Sequence, residues 1–214
     1  MTIAKSIATL AVKPIEKDMS QNIVIIDYGA GNIQSLKFAL KRLGFEAKTS
    51  ADPTEIQNAD KVIFPGVGHA ESAMEKLKET ELDLIIPKLT QPVLGICLGM
   101  QLMCKFTEEG STKGLDIFDI NVKHFEVNLK VPHMGWNTIS GLKTYLFDKL
   151  PESSYMYFVH SYYVPDNEFS IATTDYELKY SSALQKDNFY AVQFHPEKSG
   201  QWGEQILRNF LEIE

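Results

Sequence analysis

The stretch Val93-Leu94-Gly95-Ile96-Cys97-Leu98-Gly99-Met100-Gln101 decides how this 214-residue chain is read. Val93 to Ile96 is a short apolar run that fits a strand buried on both faces. Past Cys97 an amphipathic pattern predicts a helix running to about Phe106. A Gly-x-Cys-x-Gly segment between a strand and a helix is the nucleophile-elbow arrangement, with sulphur in place of oxygen. The flanking Gly95 and Gly99 let the two backbones pass close at a sharp turn and leave Cys97 exposed at its apex. The start of the helix lies under the sulphur, where its amide dipoles favour a thiolate. A buried cysteine between two packing glycines fits the same residues, so this segment alone leaves both readings open.

Upstream, the chain alternates between strand and helix patterns at short intervals. Asn22 to Asp27 is a β-branched run, and Asn32 stands as N-cap to a helix over Ile33 to Leu43, with Gly44 just past its end. Phe45 to Thr49 reads as a second strand, Pro53 to Asn58 as a short helix, and Lys61 to Phe64 as a third strand. That strand ends at Pro65-Gly66-Val67-Gly68, and a charged helix follows over Ala70 to Lys78. Downstream, Leu115 to Leu129 and Tyr155 to Phe194 read mostly as strands, and a final helix covers about Gln201 to Leu211. The expected class is therefore α/β. A doubly wound, mostly parallel sheet is flanked by helices and carries an additional mixed or antiparallel β region.

Composition bounds the rest. The chain is 44% hydrophobic, enough for one domain of this length to hold a core without a metal or disulfide staple. The net charge of -7 comes with no basic stripe, which argues against nucleic acid as a partner. No apolar run approaches the roughly 20 residues a membrane span needs. The two cysteines, Cys97 and Cys104, would lie about 10 Å apart along one helix axis, too far for a disulfide. Both therefore read as free thiols of a reducing, cytoplasmic compartment. The five histidines show no zinc-ligand spacing, so no metal site is expected. Residues 1–19 lack the apolar core and cleavage site of a signal peptide. They read as an N-terminal extension, a leader or tag, ahead of one domain over 20–214; a short extra element packed on the domain is the other reading.

Two more segments bear on chemistry. Ala191-Val192-Gln193-Phe194-His195-Pro196-Glu197 is an apolar strand ending in a histidine with a carboxylate two residues on. A cysteine nucleophile needs a base, and the base needs an orienting group on its other nitrogen. His195 and Glu197 are of the right types, although His-x-Glu alone also describes an ordinary surface histidine. Phe64-Pro65-Gly66-Val67-Gly68-His69 is a glycine-rich loop at the carboxyl end of a strand, where such sheets bind ligands. Its amides suit an oxyanion, and an ordinary strand-to-helix turn fits equally; the loop lacks the Gly-Lys-Ser/Thr ending of a phosphate loop.

Taken together and in this order, the elbow, the glycine loop and His195-Pro196-Glu197 resemble class I glutamine amidotransferase domains from about Ile23 onward. Asp27-Tyr28-Gly29-Ala30-Gly31-Asn32, Pro65-Gly66-Val67-Gly68, Pro132-His133-Met134-Gly135-Trp136-Asn137 and Tyr157-Phe158-Val159-His160-Ser161-Tyr162 narrow the likeness to the glutaminase subunits of imidazole glycerol phosphate synthases. The resemblance implies a glutaminase with Cys97 as nucleophile, His195 as base and Glu197 as its orienting group. Val67, Gly68 and Leu98 would form the oxyanion hole. Gly68, Gln101, Glu109, Ser161 and Tyr162 would hold glutamine. It further implies a (β/α)₈-barrel cyclase partner of the histidine pathway, faced by Asn32, Met134, Trp136, Asn137, Tyr157 and Lys198, and no cofactor. Paralogous pairs that feed ammonia to surface-sugar amidination share the same catalytic residues. Cys104 matches no catalytic position and reads as a helix-face residue, and His160 reads as structural.

Overall fold

The computed structural model describes residues 21–29 and 32–214; residues 1–19, the expected extension, lie outside the described residues. Thirteen strands are present among them: β1 Ile23–Ile26, β2 Ala47–Ser50, β3 Lys61–Gly66, β4 Val93–Cys97, β5 Cys104–Thr107, β6 Thr112–Lys113, β7 Phe118–His124, β8 His133–Ile139, β9 Ser154–His160, β10 Tyr162–Pro165, β11 Ser170–Tyr176, β12 Leu178–Lys186 and β13 Phe189–Val192. The α-helices are α1 Ile33–Arg42, α2 Pro53–Gln57, α3 Ala70–Glu79, α4 Leu82–Ile85, α5 Leu98–Met103 and α6 Gly200–Glu212. None of these helices is long and apolar enough to cross a membrane.

The large sheet runs β2-β1-β3-β4-β13-β12-β10-β7-β5-β6, with β11 also paired to β12. Its first five strands are parallel, and the additional region beyond β13 is mostly antiparallel. A separate antiparallel ribbon, β8 with β9, pairs Met134 with Val159 and Trp136 with Tyr157. The expected class is thus the observed one.

Burial on both faces explains the β-branched runs. Along β1, Val24 and Ile26 pack into one core with Phe64, Met74 and Leu98, while Ile23 and Ile25 pack into the other with Leu36, Leu40 and Phe210. Successive side chains of a strand point to opposite faces, so a strand sandwiched between two helical layers must be apolar throughout. Local signals behave as their chemistry demands. Asn32 caps α1, its Oδ1 accepting from the Ser35 amide at 3.4 Å, and Gly44 takes φ +91° beyond the α1 end. One expectation fails: α5 stops at Met103 rather than near Phe106, and Cys104 opens β5 instead of lying on a helix face. The chain leaves the helix because residues 104–107 are drawn into a parallel pairing with β7.

Candidate active site

Three parallel neighbours end together. β3 places Gly66 abreast of Cys97, and β13 pairs Val192 with Ile96, so the chain continues with Gln193 beside Cys97. The loop after β3 carries Val67 and Gly68, and the one after β13 carries His195 and Glu197. Side chains distant in sequence therefore meet at the carboxyl ends of adjacent strands, the usual ligand edge of such a sheet.

Cys97 sits at the turn from β4 into α5 with φ 54° and ψ −111°. A non-glycine residue there is strained by about 1–3 kcal/mol, and packing around it must hold the strain. The two elbow glycines do different work. A Cβ on Gly99 would lie 2.0 Å from the Phe64 carbonyl oxygen of β3, which cannot yield. A Cβ on Gly95 would meet chiefly the Met103 side chain, at 2.8 Å from its sulphur. Gly66 completes the close approach, its missing Cβ leaving room for the Gly99 amide and the Tyr28 hydroxyl.

Around the sulphur, His195 Nδ1 lies 2.9 Å from Glu197 Oε1, with those side chains 3% and 4% exposed. The other imidazole nitrogen, Nε2, is buried without a hydrogen-bond partner, although His195 and Cys97 line the same cavity. Burial opposes a charge on this imidazole. Attraction to the Cys97 sulphur and to Glu197 outweighs it, so the pKa is raised to about 10. The Cys97 thiol donates weakly to the Val159 carbonyl at 3.9 Å and accepts from Gln193 Nε2 at 3.7 Å.

A cavity of about 320 Å³ opens over the sulphur. Its walls include Cys97, His195, the expected oxyanion residues Val67, Gly68 and Leu98, and all of the expected glutamine-holding residues: Gly68, Gln101, Glu109, Ser161 and Tyr162. Gly68 adopts φ +98°, open to glycine at no steric cost. Glu109 Oε2 accepts from the Ala70 amide at 2.9 Å, which ties the carboxylate to the start of α3 at the cavity wall. Gln101 is buried, and its Nε2 donates to the Tyr162 carbonyl and to Gln193 Oε1, both at 3.0 Å. What Gln101 has left for a ligand is its carbonyl oxygen, an acceptor.

His160 also lines the cavity, but its nitrogens are engaged: Nδ1 donates to the Tyr162 carbonyl at 2.7 Å, and Nε2 lies 3.3 Å from the Tyr180 hydroxyl. That hydroxyl is also 3.1 Å from His133 Nδ1. Burial lowers the pKa of His160 to about 3 and of His133 to about 4, so both stay neutral near pH 7. The structural reading of His160 fits these bonds.

None of the expected partner-facing residues lines this cavity. Met134 and Trp136 on β8 are 62% and 56% exposed. The Trp136 and Tyr157 rings meet edge to face with centroids 6.0 Å apart, and Lys198 Nζ sits 5.9 Å from the Tyr157 ring. Asn137 is tied back, donating to the Asp175 carbonyl at 2.9 Å. Asn32 lines a small second pocket whose walls include His195 and Glu197.

Two residues at the site carry roles that the motif reading did not assign. Tyr28 donates from its buried hydroxyl to the Pro65 carbonyl at 3.0 Å, fixing the peptide that precedes the glycine loop. Burial, and then proximity to Cys97, raise its pKa. Gln193 touches the sulphur itself. Its signal was present in the sequence: a lone amide inside an apolar strand, two residues before the histidine.

The chain is similar to known proteins along most of its length. Residues 24–213 match the family described as glutamine amidotransferase class-I. The imidazole glycerol phosphate synthase subunit HisH of Bacteroides fragilis is 59% identical over 194 residues, covering 89% of this chain and 99% of that protein. The protein of the same name from Escherichia coli K12 is 47% identical over 199 residues, covering 90% and 100%. Among solved structures, a glutamine amidotransferase superposes with a TM-score of 0.71 at 19% identity, covering 89% of this chain and 97% of that one. PurLQS from Thermotoga maritima superposes with a TM-score of 0.68 at 15% identity, covering 90% and 98%. At such identities the structural likeness speaks for the fold alone.

Proposed function

Because the chain belongs to the class I glutamine amidotransferase family, we propose that it hydrolyses glutamine through Cys97, His195 and Glu197 and passes the ammonia to a cyclase subunit that forms imidazole glycerol phosphate. The observation that carries the proposal is the meeting of Cys97, the His195–Glu197 pair and the loop residues Val67 and Gly68 around one cavity.

In the proposed reaction the Cys97 sulphur attacks the side-chain amide carbon of glutamine. Amides of the Val67–Gly68 loop and of Leu98 receive the negative oxygen of the tetrahedral intermediate, each such donor contributing about 3 kcal/mol. His195 gives its proton to the leaving nitrogen, and the carbon–nitrogen bond breaks to release ammonia and leave a glutamyl thioester. Water, deprotonated by His195, then attacks the thioester. Glutamate departs and the sulphur regains its resting state. Glu197 keeps the imidazole in one tautomer and supports its charge. Glu109 pairs with the α-ammonium of glutamine, while Gly68, Gln101, Ser161 and Tyr162 hold the rest of the substrate.

The cyclase docks against Asn32, Met134, Trp136, Asn137, Tyr157 and Lys198. Exposed aromatic residues are the types that anchor interfaces, which supports Trp136 in that role. The enzyme works in the cytoplasm without metal or cofactor, as one domain over residues 20–214.

The test is ammonia release from glutamine by the chain alone and with a cyclase partner, with and without the cyclase's nucleotide ligand. Turnover stimulated by the liganded cyclase is the expected result. Turnover indifferent to the cyclase would move the ammonia to another acceptor, and a folded protein without turnover in any arm would overturn the glutaminase assignment.

A further inference from the structure

We infer that Gln193 is a positioning residue for Cys97: it orients the sulphur through a donated hydrogen bond whose direction the Tyr162 carbonyl enforces. The inference rests on the reading of Cys97 as nucleophile.

Register explains the contact. The parallel pairing of β13 with β4 ends at Val192 with Ile96, so Gln193 and Cys97 stand abreast. Side chains abreast on neighbouring strands point to the same face. Gln193 is fully buried, with Nε2 3.7 Å from Cys97 Sγ.

The direction of that bond follows from its neighbours. A primary amide can present either end, and only its partners decide which. The Tyr162 carbonyl can only accept, so Gln101 must turn its NH₂ toward it. The same nitrogen lies 3.0 Å from the Gln193 side chain, which must answer with its oxygen. The NH₂ of Gln193 is then left facing the sulphur. A flipped Gln193 would set two NH₂ groups against each other and an oxygen against the thiolate, so two bonds would be lost in a buried place.

The sulphur has a second contact of opposite preference. The Val159 carbonyl at 3.9 Å can only accept, so it serves the protonated thiol and not the thiolate. His195 also attracts the sulphur, and Gln193 Nε2 donates a hydrogen bond to it at 3.7 Å. Donation to a charged acceptor is worth more than donation to a neutral one, so the contact favours the thiolate. It also links the nucleophile to the wall on which Gln101 and Tyr162 face the ligand.

Gln193→Met keeps the volume and removes the donor. The experiment follows alkylation of the glutamine-free protein by iodoacetamide across pH, beside kcat and KM for glutamine. Cys104 is fully buried and burial pushes its thiol up, so the alkylation reports on Cys97. The expected result is an alkylation midpoint about one pH unit higher, a kcat about tenfold lower and KM within about twofold. Gln193→Glu, which sets a carboxylate against the sulphur, should move the midpoint further the same way. A folded Gln193→Met protein with an unchanged midpoint would overturn the inference. Should neither variant fold, the side-chain amide resonance of Gln193 in the unaltered protein must titrate with Cys97 and shift on its alkylation; a resonance indifferent to both would overturn it equally. Cys97→Ala separates the two levels. If that variant still turns over glutamine, the nucleophile reading itself falls; if it is dead while Gln193→Met keeps the original midpoint, only the present inference falls.

Discussion

Glu197 Oε1 and His195 Nδ1 meet at 2.9 Å in a place where both side chains are almost wholly buried. The pair fixes the proton on Nδ1 and leaves Nε2 for the sulphur side, and the imidazole pKa is raised to about 10. Glu197→Gln keeps the shape and removes the charge. Glutaminase kcat should fall about 10²- to 10⁴-fold, the range typical of a disabled acid–base partner. A variant within threefold of the original rate would exclude the orienting role.

The same imidazole, its charge supported by the Cys97 sulphur and by Glu197, makes stability depend on pH with a definite sign. An imidazole with a folded value near 10 and an unfolded value near 6.5 stabilises the fold through its charged form. That contribution is complete below about pH 6.5 and is lost as pH rises through about 10. The melting-temperature gap between the unaltered protein and Glu197→Gln should therefore be widest near pH 6 and shrink toward pH 10. Melts at pH 6, 8 and 10 check this, and a gap that widens with pH would contradict it.

Two glycines at the site should respond differently to alanine. At Gly99 the added Cβ would meet the Phe64 carbonyl at 2.0 Å, a backbone atom of a central strand. Gly99→Ala should cost about 3 kcal/mol or more, or prevent folding. At Gly68 nothing lies within 4 Å of the new Cβ, so only the φ of +98° is strained and the cost should be about 1–2 kcal/mol. Urea midpoints of the two variants rank them directly. Equal destabilisation would refute the assignment of Gly99 to backbone approach.

These contrasts mark where reading the sequence stops. The elbow was legible because a turn from strand to helix around a nucleophile tolerates few residue types, and Gly95, Cys97 and Gly99 announce it together. The parallel core was legible because strands covered on both faces are apolar throughout, as in Ile23–Ile26. The end of α5 was not, since residues 104–107 carry no helix breaker, and β7, brought alongside by the fold, claims them as a strand. Gln193 was visible as a lone amide in an apolar run, but its role was not, because only the register of β13 against β4 reveals that it stands beside the sulphur. Glu109 gained its place through the family likeness, and its bond to Ala70, 39 residues away in sequence, is a tertiary fact.

That bond gives Glu109 two separable effects. Its carboxylate caps the first turn of α3 and lines the cavity. Glu109→Gln retains an acceptor for the Ala70 amide while removing the charge proposed to meet the α-ammonium of glutamine. KM should rise about 10- to 100-fold, matching loss of a charged contact of roughly 1.5–3 kcal/mol, with kcat and melting temperature little changed. Glu109→Ala should show the same rise in KM and lose about 1 kcal/mol of stability besides, for want of the cap. An unchanged KM in both variants would remove Glu109 from the substrate site.

Trp136 tests the proposed docking face, because an interface anchor and a core residue fail in opposite ways. The side chain is 56% exposed and rests edge-on against Tyr157, over which Lys198 sits. Truncating an exposed residue costs a lone domain within about 0.5 kcal/mol, whereas truncating an interface anchor costs binding about 2 kcal/mol or more. Trp136→Ala should therefore leave the melting temperature and the unstimulated glutaminase rate in place. It should weaken binding to the cyclase about 30-fold, the equivalent of 2 kcal/mol. Titration calorimetry with the cyclase and a thermal melt of the isolated chain give the two readings. A lowered melting temperature with undiminished affinity would make Trp136 a packing residue and move the docking face elsewhere on the molecule.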